Sequence, residues 1–180
     1  MSNKRSLSLK PFTGAALGAP GGDPWLVSRA DPASSVMTDF HERSAVVVPA
    51  GSPIDAALEH LKHTGVRSAF VVSSDKQSVI GMITAYDIQG EKPIRHLQSV
   101  DGNHRSYSRD DVLVQDIMEK VGEWQVADMK DIERSTIDMV LNVFRETGRT
   151  HIAVIESSDE HGARLRGMFS AAKIMRLLKD

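Results

Sequence analysis

One stretch of this chain occurs twice, and that duplication constrains the fold more than any single motif does. Between Ser52 and Gly65 the apolar residues Ile54, Ala57, Leu58 and Leu61 follow the i, i+3, i+4, i+7 spacing of a helix with one buried face. Ser52 is placed to cap that helix, Pro53 to sit in its first turn, Asp55 to meet the positive end of its dipole, and Gly65 to end it. On moving along by 83 positions, Ser135, Asp138 and Gly148 stand in the same places around the stripe Ile137, Val140, Leu141 and Phe144. Cap, acid, stripe and glycine all recur at one offset.

The duplication continues downstream. Ala69–Val72 and Val79–Ile83 read as two apolar, β-branched strands joined by a short turn, and Ile152–Ile155 and Leu165–Phe169 are their counterparts. Six residues separate Val72 from Val79 and nine separate Ile155 from Leu165, so the offset grows to 86 and Gly81 matches Gly167. The added residues are expected in a longer surface turn. A closing helix is expected from Thr84 in the first copy and from Ser170 in the second. Upstream, Val36-Met37-Thr38 and Asp116-Ile117-Met118 open the two units. Ala45–Val48 predicts the first strand of the first unit, and the polar Met129-Lys130-Asp131 occupies the matching place in the second.

The predicted organisation is therefore a flexible N-terminal segment over 1–33, a first repeat over 34–94, a polar linker with room for a helix over 95–111, and a second repeat over 112–180. The first segment is rich in Gly, Pro, Ser and Ala, with Trp25, Leu26 and Val27 as its anchor on the fold. One unit of ~60 residues buries too little surface to be comfortable alone. The two are expected to pack sheet against sheet around one shared core. The fold class is α/β (α+β): two β-α-β-β-α repeats related by a pseudo-two-fold axis.

Composition removes several classes of function. A net charge of −2 argues against nucleic acid as the main partner. The absence of cysteine excludes disulfides, thiolate nucleophiles and Cys-based metal sites. Ser6–Gly22 contains Lys10, Pro11 and Pro20 and lacks the apolar run of a signal core, and nowhere do 18 apolar residues follow one another, so a cytoplasmic protein that does not enter a membrane is expected. No nucleophile elbow, Walker loop or Gly-x-Gly-x-x-Gly is present, and no carboxylates are placed as a catalytic pair. His60 and His63, three apart, could clamp a metal, but the reading taken is a solvated helix face. The reading is of a protein without catalysis and without a metal.

A helix, a hairpin running apolar-Gly-apolar-apolar-Thr-x-x-Asp and a second helix, all repeated, resemble the cystathionine-β-synthase (CBS) domain family. The carrying residues are Met37-Thr38, Val48-Pro49, Ile54–Gly65, Val71-Val72, Gly81–Ile88 and their second copies, so the resemblance covers ~34–180. It implies a tandem pair, the Bateman module, that binds AMP, ADP, ATP or S-adenosylmethionine between its repeats and regulates an attached or separate protein. No cofactor is required on this reading.

The resemblance also implies site residues. Asp87 would accept from the ribose hydroxyls and Thr84 would donate to a phosphate, while Val66, Ser68, Ala69 and Phe70 at the strand entrance would meet the base. Thr84-x-x-Asp87 is equally a plain capping box, and Phe70 equally a core residue. In the second copy Ser170, Lys173, Arg149 and His151 mark a weaker site, because Lys173 replaces the acid. The implied function is a nucleotide-sensing regulatory module, expected as a homodimer acting on an unknown protein partner. The competing reading is an interaction or dimerisation module that has lost its ligand, with Phe70 and Lys173 in its favour.

Overall fold

The computed structural model describes residues 26–75, 78–100, 107–158 and 162–179. Trp25 and the rest of 1–25 lie outside the described residues, as do 101–106 of the expected linker.

In chain order the elements are β1 (Thr38–Asp39), β2 (Val47–Pro49), α1 (Ile54–Thr64), β3 (Ser68–Val72), β4 (Val79–Thr84), α2 (Ala85–Gln89), α3 (Lys92–Val100), α4 (Val114–Ile117), β5 (Glu119–Lys120), β6 (Val126–Asp128), α5 (Met129–Ile132), α6 (Ile137–Thr147), β7 (His151–Ser158), β8 (Gly162–Ser170) and α7 (Ala171–Leu177). The helices α1 and α6 bury the stripes that their periodicity predicts, and each ends on a glycine with positive φ, Gly65 at 71° and Gly148 at 65°. Two strand registers were harder to foresee. The first strand of the second repeat is β6, over Val126–Asp128, whereas Met129-Lys130-Asp131 begins the short helix α5. The longer second hairpin extends its strands rather than its turn, with β7 and β8 paired out to Ser158 and Gly162.

The strands form two four-stranded sheets, β2-β3-β4-β5 and β1-β8-β7-β6. Each sheet therefore borrows one edge strand from the other repeat: β1 pairs antiparallel with β8, and β5 with β4. The exchange explains the two hairpin glycines. A Cβ on Gly167 would lie 2.7 Å from the Thr38 carbonyl oxygen, and one on Gly81 would lie 2.7 Å from that of Glu119. Met37 and Met118 lean over the same two glycines, with Sδ at 2.8 and 2.7 Å from those built positions. Only a residue without a side chain admits the visiting strand so closely.

The chain entering each borrowed strand also finishes a helix of the other repeat. Ile137 N–H at the start of α6 donates to the Asp31 carbonyl, and Ile54 N–H at the start of α1 donates to that of Val112. With its first N–H satisfied by backbone, α1 has Pro53 as its N-cap and no side-chain cap, so Ser52 does not play that part. In α6 the cap is Thr136, which accepts from Met139 N–H, rather than Ser135. The stretch 27–33 is likewise built into the fold instead of leading up to it. Val27 and Ala33 are buried, and Val27 exchanges backbone hydrogen bonds with Leu177 and Lys179.

Two cores result where one shared core was expected. Ile54, Leu61, Val71, Ile83 and Ile88 pack with Val112, Val114 and Ile117 on one side, while Ile137, Val154, Phe169 and Ile174 pack with Val27, Val36 and Met37 on the other. Strand alternation leaves the opposite faces for the space between the repeats. Phe70, Met82 and Ala153 are buried there and belong to neither cluster.

Candidate functional site

Between the repeats lie two clefts, one between the strand entrance of the first repeat and β8 and α7 of the second, the other between the strand entrance of the second repeat and β4 of the first. The first cleft holds a cavity of about 380 Å³. Val66, Ser68, Ala69 and Phe70 of the first repeat line it together with His151, Ser170 and Lys173 of the second. The residues assigned from sequence to two separate sites thus meet in one. Thr84, Asp87 and Arg149 do not line it.

Three further liners carry chemistry that sequence reasoning missed. Arg67 lies inside the quoted strand entrance, and Arg176 sits three residues beyond Lys173 on the same side of α7, so helical spacing could have found it. Phe40 had no local signal, because it reaches the cavity only through the strand exchange of β1. Its ring meets Phe70 edge-on, with centroids 5.4 Å apart. One wall of the cavity is therefore aromatic and aliphatic, and its rim carries Arg67, Lys173 and Arg176 with no carboxylate among the described lining residues. Arg67 Nη1 also donates to the Tyr86 hydroxyl at 3.2 Å.

The second cleft is filled by its own side chains. What remains is a space of about 10 Å³ bordered by Met82, Glu119, Trp124, Arg149, His151 and Ala153. Arg149 Nη1 pairs with Glu119, and its Nη2 donates to the Glu123 carbonyl at 2.6 Å. Trp124 packs on Phe70 at 5.9 Å between centroids, and its indole N–H is buried with no hydrogen-bond partner among the described residues.

Asp87 borders neither space, although its charge acts on His151, which borders both. Its Oδ2 accepts from the Thr84 backbone N–H at 2.8 Å and from the Thr84 hydroxyl at 2.7 Å, while the Thr84 hydroxyl accepts from Asp87 N–H at 3.1 Å. Its Oδ1 is 2.7 Å from Lys92 Nζ, which also donates to the Ile117 carbonyl. Thr84 and Asp87 thus form a complete capping box on α2, with both carboxylate oxygens engaged. His151 stands between the clefts. Burial pushes its imidazole below the ordinary histidine range, against the opposing pull of the Asp87 and Glu119 charges, so the ring is neutral near neutral pH. Among the described residues no group of three or more His, Cys, Asp or Glu is arranged to hold a metal.

This crossed, duplicated arrangement has known counterparts. The family model described as "CBS domain" matches residues 33–92. The fold is that of a CBS pair. A CBS-domain-containing protein from Agrobacterium tumefaciens superposes with TM-score 0.55 at 17% identity, covering 84% of this chain and 98% of that one. An uncharacterised conserved protein from Pyrococcus horikoshii gives 0.53 at 19%, covering 83% and 92%. CBSX2 of Arabidopsis thaliana, in its structure with AMP, gives 0.53 at 18%, covering 81% of this chain and 94% of that one. The search of curated proteins finds no match. At these identities the likeness speaks for the CBS-pair fold, and the chemistry of this pair has to be read from its own clefts.

Proposed function

We propose that this CBS pair is a non-catalytic regulatory module that binds one adenine nucleotide in its open cleft and acts on a separate protein partner. One observation carries the reading: a cavity of about 380 Å³ between the repeats, with the aromatic wall of Phe40 and Phe70 and the basic rim of Arg67, Lys173 and Arg176. Its volume lies in the ~300–1,000 Å³ range of small-molecule sites. A flat heteroaromatic ring suits the wall and a phosphate suits the rim. The AMP complex of CBSX2, a protein of the same fold, supports the choice of adenine.

A ligand there touches β3 of one repeat and α7 of the other, so it favours whichever arrangement of the repeats brings those elements to it. Differential affinity for two arrangements is what such a module transmits. The module is further taken as a cytoplasmic homodimer, with exposed Met139 and Val143 of α6 and Met175 of α7 as apolar positions for a symmetric interface. No helix among the described residues is long and apolar enough to cross a membrane.

Isothermal titration with AMP, ADP and ATP tests the binding. The expected result is one nucleotide per chain, with a rise in melting temperature corresponding to roughly 2.7 kcal/mol at ~100-fold the dissociation constant. Flat titrations with all three, from a protein that light scattering shows to be a stable dimer, would instead favour a ligand-free interaction module. The closure of the second cleft by Trp124 and Arg149 is the feature that speaks for that second reading.

A further inference from the structure

We infer that the open cleft selects its ligand by negative charge and is indifferent to the sugar diol, so that it is a sensor of polyphosphorylated nucleotides rather than of nucleoside monophosphates. The inference rests on the nucleotide reading above and asks which member of that class the cleft prefers. Three cationic side chains, Arg67, Lys173 and Arg176, line the cavity, and none of its described lining residues is an aspartate or glutamate. His151, the remaining titratable liner, adds no charge near neutral pH because burial keeps it neutral. The described lining is thus cationic on balance. Such a lining attracts the three or four negative charges of a nucleoside di- or triphosphate more strongly than the two of a monophosphate.

The sugar side points the same way. A carboxylate is the side chain that grips a vicinal diol with two charge-assisted hydrogen bonds. In this chain the acid at the corresponding helix position, Asp87, does not line the open cleft, and Thr84 and Lys92 engage both its oxygens. Its counterpart at the open cleft is Lys173. Neutral hydroxyls, those of Thr38, Ser44, Ser68 and Ser170, are what the open cleft offers instead. They accept or donate to any polar group and do not single out a ribose. S-adenosylmethionine carries the same adenine with a sulfonium and an ammonium group, so the cationic rim should reject it.

The experiment is isothermal titration of the full chain at low ionic strength with ATP, ADP, AMP, S-adenosylmethionine, 2′-deoxy-ATP and inorganic tripolyphosphate. It is repeated on Arg67→Gln and Arg176→Gln, both exposed positions where folding is not at stake. Affinity is expected to fall in the order ATP, ADP, AMP, S-adenosylmethionine, by about threefold or more per lost phosphate. 2′-Deoxy-ATP should stay within about threefold of ATP, since only neutral contacts to the sugar are lost. Each Arg→Gln change should compress the phosphate ladder while altering AMP least. AMP binding as tightly as ATP, or a loss of about tenfold or more on removing the 2′-hydroxyl, would overturn the inference and leave the nucleotide reading intact. Tripolyphosphate binding without any nucleotide would do the reverse, supporting charge selection and ending the nucleotide reading. Silence from every ligand would end both.

Discussion

The two clefts of this molecule are built from the same elements, yet one is open and the other closed. Strand registers show where they part. Val47 pairs with Phe70 in the first repeat as Val126 pairs with Ala153 in the second, so Ala45 corresponds to Trp124. After the helix-ending glycine, Val66 corresponds to Arg149. Val66 borders a space of about 380 Å³, whereas Trp124 and Arg149 border one of about 10 Å³. Duplication thus fixes the frame of both clefts, and the open and the filled one differ in the side chains that line them. The closing helices add the second lesson. Lys173 lines the open cleft and Asp87 does not, so the family-like acid and the available space have been separated.

The largest effect is expected where the two halves are alike. Gly81→Ala and Gly167→Ala should each cost about 2–3 kcal/mol in urea unfolding, because the new methyl meets a carbonyl oxygen of the borrowed strand. Losses differing by more than about 1 kcal/mol would show that the exchanged strands are not equivalent.

A comparable effect is expected on the closed side. Trp124→Ala with Arg149→Val should cost about 2–3 kcal/mol, for lost packing and an abandoned Glu119, and should raise nucleotide stoichiometry from one per chain to two. Stoichiometry remaining at one would show that something besides these two side chains closes the cleft. The reciprocal change, Ala45→Trp with Val66→Arg, should remove binding at the open cleft with a smaller stability loss of about 1 kcal/mol; calorimetric titration reads this directly.

Smaller still is Lys92→Met, expected to cost about 0.5 kcal/mol because the half-exposed ammonium makes a modest ion pair with Asp87. Binding at the open cleft should be unchanged within about twofold, since Asp87 does not line it. The last test is of pH. The folded state holds His151 with a depressed pKa, whereas the unfolded chain titrates near about 6.5. Above that value the residue leaves stability unaffected. As pH falls through it towards the lower folded value, unfolding takes up a proton and stability is lost. His151→Gln should flatten that acid-side decline in chemical unfolding between neutral pH and pH 5; an unchanged slope would assign the decline to other groups.

Much of this was legible in the residues because the signals are local. The stripes of α1 and α6, the glycines that end them, the hairpin Gly81 and Gly167 and the Thr84–Asp87 capping box all follow from spacing within a dozen positions. Other readings failed for a common reason. Ser52 and Ser135 do not cap because distant backbone, or a neighbouring threonine, already satisfies those helix starts. Val27 and Ala33 look like the end of a loose segment, and they are buried only because the second repeat needs them.

What the sequence determined by itself was that a β-α-β-β-α unit occurs twice and which face of each long helix is buried. Those properties are written in periodicity along one chain. Only the tertiary structure decided that Thr38–Asp39 and Glu119–Lys120 cross to each other's sheets, that Val66–Phe70 therefore meets Ser170 and Lys173, and that Asp87 is left out of the open cleft. A two-residue strand has no preference of its own for one sheet edge. Its place is set by the glycine that lets it approach and by the long-range contacts that the whole fold supplies.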